Sequence, residues 1–312
     1  MTLSSATLGI DISKQRLDAY AHPLGKARAF PNQEAGWRAL VAWAVELEAF
    51  VAFEATASYD RGLSLLLQEA KVAFHRANPR KAREFARSAG FLAKTDQVDA
   101  RMLALYGAAL PLAPARPTTP ERLELQDLVA RRDELVEMRK AERTRLKADP
   151  AAWLKDSLQG LIRVLGEQIA DIEARIQALI DGVDDMTRDY RILRSCAGVG
   201  EVAASVLLAL MPELGQVNRR TIAALAGLAP IACDSGALRG KRRIFGGRKR
   251  VRDALYMAAL AASRTSAFRS DYERLKAAGK PKKLALIAIA RKLLVALNAA
   301  VRDQTPFHTI HT

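Results

Sequence analysis

The chain has 312 residues, 50% of them hydrophobic, so it is long enough for two or three domains with real cores. Lys and Arg outnumber Asp and Glu by 49 to 34, and the net charge of +15 indicates a polyanionic partner such as nucleic acid. We expect no membrane contact, because neither a signal peptide nor an apolar run of roughly 20 residues is apparent. The two cysteines, Cys196 and Cys233, are too few for a disulfide framework and fit a cytoplasmic protein.

The first 110 residues read as an alternation of strands and helices. Short apolar or alternating runs predict strands at residues 6–12, 17–21, 26–30, 50–54 and 72–77. Helical periodicity predicts helices at about residues 32–48, 60–70, 79–88 and 94–108. Strands lead and helices follow, so we expect an α/β domain over residues 1–110.

Four carboxylates stand out in this domain. Asp11 and Glu54 each end a predicted strand, whereas Asp96 and Asp99 lie three residues apart on one face of a predicted helix. Two divalent cations about 4 Å apart support phosphodiester transfer, and several carboxylates are needed to hold them. The four acids therefore predict a metal site. The alternative is that Asp96 and Asp99 only complement a helix macrodipole and that Glu54 is a solvated strand end.

The middle of the chain predicts a linker and a helical hairpin, at residues 111–185. Four prolines at 111–120 prevent a continuous helix, and Thr119 is a candidate cap for the next one. Helices follow at about 121–147 and 151–181. The second has a heptad seam typical of a coiled coil, formed by Leu158, Ile162, Leu165, Ile169, Ile172, Ile176 and Leu179. This hairpin packs on itself or on another subunit, and the sequence leaves both open.

The last domain, residues 186–312, is predicted to be mainly α. Residues 191–210 read as helix, tight turn and helix, with Gly198 and Gly200 in the turn. In a helix-hairpin-helix element such glycines let the backbone approach a phosphate at a helix N-terminus. The alternative is that they only turn one packed helix into the next. Further helices are expected at about 250–266 and 281–301.

A basic segment lies between these helices. Eight cations fall between residues 239 and 252, and we expect a DNA or RNA backbone as their ligand. The candidate contacts are Arg239, Lys241, Arg242, Arg243, Arg248, Lys249 and Arg250. A solvated basic loop is the alternative. Just before them, Ser235 offers a hydroxyl on a Gly-flanked turn as a candidate nucleophile, although most Ser-Gly pairs are simple turns.

Motifs at both ends of the chain resemble one family. They are Gly9-Ile10-Asp11-Ile12-Ser13-Lys14, Glu54-Ala55-Thr56, Lys94-Thr95-Asp96-Gln97-Val98-Asp99-Ala100, Ser235-Gly236, Arg239-Gly240-Lys241-Arg242-Arg243-Ile244 and Ala254-Leu255-Tyr256-Met257-Ala258-Ala259. In this order they resemble the DEDD-type insertion-sequence transposases, which are bridge-RNA-guided recombinases related to the pilin-gene invertases. The resemblance covers nearly the whole chain. It departs at Ala57, where the family often has Gly.

The resemblance implies a RuvC-like, RNase H-type first domain in which Asp11, Glu54, Asp96 and Asp99 bind two Mg²⁺ ions. It implies that Ser235 attacks the DNA backbone and forms a covalent phosphoserine link. The implied partners are donor and target DNA, an element-encoded bridge RNA and further copies of the chain, as a dimer or tetramer. Lys14, within the first motif, is a further candidate nucleic-acid contact.

Other functions would share some of these features. An unguided DNA invertase, or a Holliday-junction resolvase that uses water in place of a serine, would share the fold. An actin-like or sugar-kinase ATPase would also explain the run from Leu8 to Ser13, but the chain lacks the second Asp-x-Gly loop that such enzymes need. A non-catalytic nucleic-acid binder is the last alternative, and the presence of all four acids argues against it.

Overall fold

The computed structural model describes residues 6–55, 59–91, 96–231 and 242–307, with side chains for all of these except Asp96 and Gln97. The chain divides into two compact units, and the division falls between Thr118 and Thr119. Each unit is described by itself.

The first unit contains a five-stranded sheet. Its strands are β1 (Thr7–Ile12), β2 (Arg16–His22), β3 (Lys26–Pro31), β4 (Phe50–Glu54) and β5 (Phe74–Ala77). Their order is β3-β2-β1-β4-β5, in which β1, β2 and β3 are antiparallel neighbours and β4 and β5 run parallel to β1. All five predicted strands are confirmed, with ends shifted by no more than two residues.

Helices cover both faces of this sheet. They are α1 (Glu34–Glu46), α2 (Arg61–Glu69), α3 (Pro79–Ser88) and α4 (Asp96–Ala109). On one face, fully buried Leu8, Ile10 and Phe53 share a core with Leu40 of α1 and Leu63 of α2. The other face of the central strands β1 and β4 packs against α4. The mixed α/β architecture predicted for this unit is therefore confirmed.

A glycine allows α4 to lie directly on β1. A Cβ atom at Gly9 would lie 2.1 Å from the carbonyl oxygen of Ala100 and 2.1 Å from the backbone nitrogen of Ala104. Helix and strand backbones are thus in direct contact, a spacing that only a residue without a side chain permits. This contact fixes the height of α4 above the sheet.

The second unit begins with a helical hairpin. Its helices are α5 (Pro120–Leu146) and α6 (Ala152–Asp181). The Thr119 side chain accepts a hydrogen bond from the Arg122 amide at 3.3 Å, which confirms the predicted cap. Leu135 of α5 packs with Leu165 and Ile169 of α6, so the predicted seam faces the other arm of the hairpin.

Six further helices and a short ribbon complete this unit among the described residues. The helices are α7 (Asp184–Arg194), α8 (Glu201–Leu210), α9 (Arg219–Leu225), α10 (Lys249–Ala262), α11 (Ser266–Ala277) and α12 (Lys282–Arg302). The ribbon pairs β6 (Pro230–Ile231) with β7 (Arg243–Ile244) in antiparallel fashion. Neither α9, α11 nor the ribbon was predicted from the sequence.

The expectation that no apolar run approaches membrane-spanning length is wrong for α12. This helix has 21 residues, and by length and hydropathy alone it qualifies as a span. In the second unit it is a core helix, since Leu293, Leu294 and Leu297 are fully buried. Buried Asn298 accepts a hydrogen bond from the Gly215 amide and donates one to the Val217 carbonyl, both at 2.9 Å. Burial within the protein accounts for its apolar composition.

Candidate active site

Asp11 and Glu54 lie at the carboxyl ends of neighbouring parallel strands, Asp11 as the last residue but one of β1 and Glu54 as the last of β4. The last bridge pair between β1 and β4 is Ile10 with Phe53, so Asp11 and Glu54 come next in register. Residues paired in this way point to the same face of a sheet. Gly9 shares that face with Asp11 and packs against α4. The two carboxylates therefore lie side by side on the face that α4 covers, and both are partly exposed.

Helix α4 is oriented so that its first turn lies toward these two acids. Gly107, near the end of the helix, packs over Thr7 at the start of β1, and Ala100 packs over Gly9. The helix therefore runs back along the strands, and its start, with Asp96 and Asp99, lies toward the strand ends that carry Asp11 and Glu54. Three separate elements thus place the backbone positions of the four predicted acids toward one end of the sheet.

Ligation of a metal by these acids stays a prediction. Among the residues whose side chains the structure describes, no three Asp, Glu, His or Cys groups gather into a metal cluster. The side chain of Asp96 lies outside this set. Acids in the first turn of α4 also fit the macrodipole alternative, because negative charge is favourable at a helix N-terminus.

Asp18 is an acid beside this site that was not predicted from the sequence. It pairs with Asp11 across the antiparallel ladder of β1 and β2, so both point to the same face. Asp18 is only 6% exposed. Arg16 donates to its Oδ1 from Nη2 at 2.7 Å and from Nε at 3.1 Å, and this charge-assisted contact offsets the desolvation of the carboxylate. The signal in the sequence is the alternation along β2, where Arg16, Asp18 and Tyr20 occupy one face.

A second buried acid, Asp60, was also missed. It precedes α2, is fully buried, and accepts a hydrogen bond from Arg76 Nε at 2.5 Å. This pair joins the start of α2 to β5. No sequence pattern marks it, because the two residues come from different elements. We assign it a structural role near the end of β4.

The described structure contains only part of the predicted nucleic-acid surface. Ser235, Arg239 and Lys241 lie outside the described residues. Arg242 and Arg243 are exposed at and just before β7. Lys14 is exposed in the turn between β1 and β2.

Two arginines of the basic segment have internal partners. Arg248 binds Glu213 through both guanidinium Nη atoms, each at 2.7 Å from a carboxylate oxygen. Arg250 binds Asp133 of α5 at 2.6 Å and the Val129 carbonyl at 2.8 Å. These contacts fix the start of α10 within the second unit, so both side chains have a structural role whatever else they bind.

The two glycines of the predicted hairpin turn differ in how closely other atoms pack against them. Gly198 has a φ of +101°, and a Cβ there would lie 2.6 Å from the backbone nitrogen of Ala262, so the packing itself requires glycine. Gly200 caps α8, and a Cβ at this position would meet no heavy atom within 4 Å. Packing thus accounts for Gly198 and leaves Gly200 open to a ligand.

A broad groove in the second unit extends from the turn that contains Gly198 and Gly200 to the start of α10. It has a volume of about 1090 Å³ and lies between α5, α8 and α10. Gly198, Gly200, Lys249 and Arg250 are all among the residues that line it. Two regions that were predicted separately to bind phosphate therefore share one surface.

Comparison with known proteins gives these two regions a common context. Residues 8–149, which include the four acids, match a family model described as "Transposase", of the DEDD and IS110 type. Residues 190–273, which include Ser235 and the basic segment, match the "Transposase IS116/IS110/IS902 family".

Individual relatives cover different shares of the chain. The chain is 30% identical to the "Pilin gene-inverting protein" of Moraxella bovis and 29% identical to that of Moraxella lacunata, over 98% of each chain in both comparisons. It is 32% identical to an IS110 insertion-element protein of Streptomyces coelicolor, over 48% of this chain and 36% of that protein.

The family matches and the full-length relatives together define a DNA recombinase, an enzyme of the transposase and invertase class. The chain belongs to the IS110 family of insertion-sequence transposases. The DEDD type of its first matched region suggests use of a divalent metal.

Proposed function

We propose that this protein is the transposase of a bacterial insertion sequence, and that Asp11, Glu54, Asp96 and Asp99 form its Mg²⁺ site on a RuvC-like domain. The observation that carries this proposal is the strand register, which sets Asp11 beside Glu54 on the face covered by α4. Carboxylate oxygens are the protein ligands that Mg²⁺ prefers, and two ions fit a set of four acids. When bound, Mg²⁺ stabilises the attacking and leaving oxygens of the phosphodiester.

The protein contributes rigid placement of the acids. Asp11 follows fully buried Ile10 on a central strand, and Asp99 lies on a helix whose backbone contacts that strand at Gly9. Catalytic groups on such elements hold their geometry better than groups on loops. Asp18, held by Arg16, adds a fixed negative charge on the adjacent strand.

Ser235 acts in this proposal as the nucleophile. Its Oγ gives up a proton and attacks the phosphorus of the DNA backbone. The bond from phosphorus to one sugar oxygen breaks, and that oxygen leaves as a hydroxyl after taking up a proton. A hydroxyl of the other DNA then attacks the phosphoserine and releases Ser235. The support is the family match over residues 190–273 and the cationic residues beside the serine.

Donor and target DNA are the proposed partners, together with an element-encoded bridge RNA. The exposed Arg242 and Arg243 and the open position at Gly200 support a nucleic-acid surface. The groove beside Gly200 does not add net positive charge, because its lining has four bases and four acids. We also propose that the protein works in the cytoplasm as a homo-oligomer, a dimer or tetramer. The seam of α6 packs on α5 within the hairpin, so it is not the proposed contact between subunits.

A pair of acid variants tests the metal site. Asp99→Asn keeps the shape of the side chain but removes its charge, so Mg²⁺-dependent cleavage of DNA at an element end should be lost while DNA binding is retained. Asp171→Asn, at an exposed position of α6, is the matched control and should cleave normally. Cleavage by Asp99→Asn at the wild-type rate would remove Asp99 from the site.

A second candidate is an unguided site-specific invertase. The likeness to the pilin gene-inverting proteins of Moraxella favours it, because it spans 98% of the chain, whereas the insertion-element proteins align over about half. RNA that co-purifies with the protein should be sequenced, and recombination should be measured before and after ribonuclease treatment. Activity that survives the treatment would favour the invertase.

A further inference from the structure

Next to the acid end of the sheet, the first unit has a cavity to which no ligand has been assigned above. It has a volume of about 350 Å³ and lies between β2, β3 and α4. Its polar lining comprises Arg16, Asp18 and Tyr20 from β2 and Arg101 from α4. Arg28 also borders it, but the Arg28 guanidinium lies 4.6 Å from the centre of the Trp43 ring, which belongs to the core on the other face of the sheet.

Small side chains keep this cavity open. The pairing of β2 with β3 places Ala29 opposite Asp18 and Ala27 opposite Tyr20, so both alanines point to the α4 side. Methyl groups are too small to fill the space that α4 leaves over these two strands. The sheet therefore presents an open, partly aromatic surface.

The chemistry of the lining fits a nucleotide. Guanidinium groups bind phosphate oxygens bidentately, and an aromatic ring offers a stacking surface to a base. Arg16 is held in place by Asp18, a carboxylate that is more than nine-tenths buried, so this part of the site is built into the sheet. Arg101 is exposed on the facing side of the cavity. An acidic ligand is favoured over a basic one.

We propose that this cavity receives the nucleotide adjacent to the phosphodiester that is cut. Arg16 and Arg101 bind its phosphate, and the Tyr20 ring stacks on its base. The cavity lies close to the four acids, because Asp18 in its wall is the strand partner of Asp11. The inference rests on the proposed role of the four acids, since they define which phosphodiester is cut.

A scan of abasic sites against Tyr20 variants tests the stacking. The affinity of DNA from an element end is measured without metal, with one base removed at each position in turn. Stacking on one base is worth on the order of 5- to 100-fold in affinity. We expect this loss at one flanking position for the wild type and for Tyr20→Phe. Tyr20→Ala should bind intact DNA more weakly than the wild type by this same factor. Removal of the flanking base should then cause no further loss of affinity in Tyr20→Ala.

Arginine variants test the phosphate contact. Arg101→Gln should weaken binding and lower the slope of log affinity against log salt by about one, because one phosphate contact is lost. Arg83→Gln, at an exposed position of α3, makes the same change in charge and should have a smaller effect.

The outcomes separate this inference from the proposed function. If the losses of DNA affinity caused by Tyr20→Ala and by base removal add up at every position, the nucleotide site is overturned. Equal losses of affinity in Arg101→Gln and Arg83→Gln would also overturn it. A wild-type protein that binds DNA with the expected pattern but does not cleave it in Mg²⁺ would contradict the proposed function alone.

Discussion

Because α4 lies directly on Gly9, a single added methyl group at this position should change both the stability of the protein and the geometry of the candidate active site. In Gly9→Ala, the new Cβ would lie 2.1 Å from the Ala100 oxygen and the Ala104 nitrogen, whereas ordinary contact begins at 3.4 Å. Helix and strand must therefore separate by about 1.3 Å, because both obstacles are backbone atoms. Overpacking of this kind destabilises a protein by roughly 1–3 kcal/mol.

The same movement carries Asp99 away from Asp11 and Glu54. Displacement of a reacting group by about 1 Å costs on the order of 100-fold in rate. We therefore expect Gly9→Ala to retain its fold, with a Tm lower by roughly 4–12 °C, and to lose about 100-fold in Mg²⁺-dependent DNA cleavage. Thermal unfolding followed by circular dichroism and a single-turnover cleavage assay measure the two effects.

Two other glycines provide the controls. In Gly160→Ala the Cβ meets no atom within 4 Å, so this helical substitution should stabilise the protein by about 1 kcal/mol and leave cleavage unchanged. Gly107→Ala crowds the far end of α4, where its Cβ would lie 2.7 Å from the Thr7 side chain. It should reduce stability with a smaller loss of cleavage. Wild-type cleavage by Gly9→Ala would refute the argument that the height of α4 sets the site.

Three further predictions concern the second unit and the charge. Arg250→Ala removes a part-buried ion pair with Asp133 and should lower the free energy of unfolding by about 1 kcal/mol, whereas Lys249→Ala should change it by less than about 0.5 kcal/mol; urea titrations measure both. Burial raises the pKa of the Cys196 thiol to about 12, from an ordinary value of 9.0. The unfolded chain therefore loses this proton first as pH rises from 9 to 12, so stability should fall in that range, and less steeply in Cys196→Ala. Finally, DNA affinity should decrease steeply with salt, and a flat dependence would argue against phosphate contacts as the main source of binding.

Local pattern was sufficient to predict the sheet and the neighbouring positions of Asp11 and Glu54, whereas their role as metal ligands stays a prediction. Each strand could be predicted from its apolar or alternating residues and from the turn residues that bound it. The parallel register of β1 and β4 then places Asp11 beside Glu54. The hairpin was equally readable, because the seam of α6 repeats over several heptads and Thr119 caps α5.

Long-range packing accounts for what the sequence left hidden. Asp18 looks like an ordinary outward polar residue of an alternating strand, and its burial depends on the packing of α4, about 80 residues later in the chain. Arg248 and Arg250 look like their basic neighbours, but their partners Glu213 and Asp133 lie 35 and 117 residues away. No local pattern carries that information.

Of the three helices that were missed or misjudged, α9 and α12 have simpler explanations. The seven-residue α9 is too short to show a period, although Asn218 caps it by accepting hydrogen bonds from the Arg220 and Thr221 amides. The apolar character of α12 was underestimated because Arg291 and Lys292 divide its sequence into two shorter runs.

Mass spectrometry of the covalent protein–DNA intermediate tests the central claim most directly, because it involves both the acids and the serine. The wild-type protein, mixed with element-end DNA and Mg²⁺ and then digested, should yield a nucleotide-linked peptide with the modification on Ser235. Asp99→Asn and Ser235→Ala should yield none. DNA cleavage by the wild-type protein without such a peptide, or a nucleotide-linked peptide from Ser235→Ala, would contradict the account.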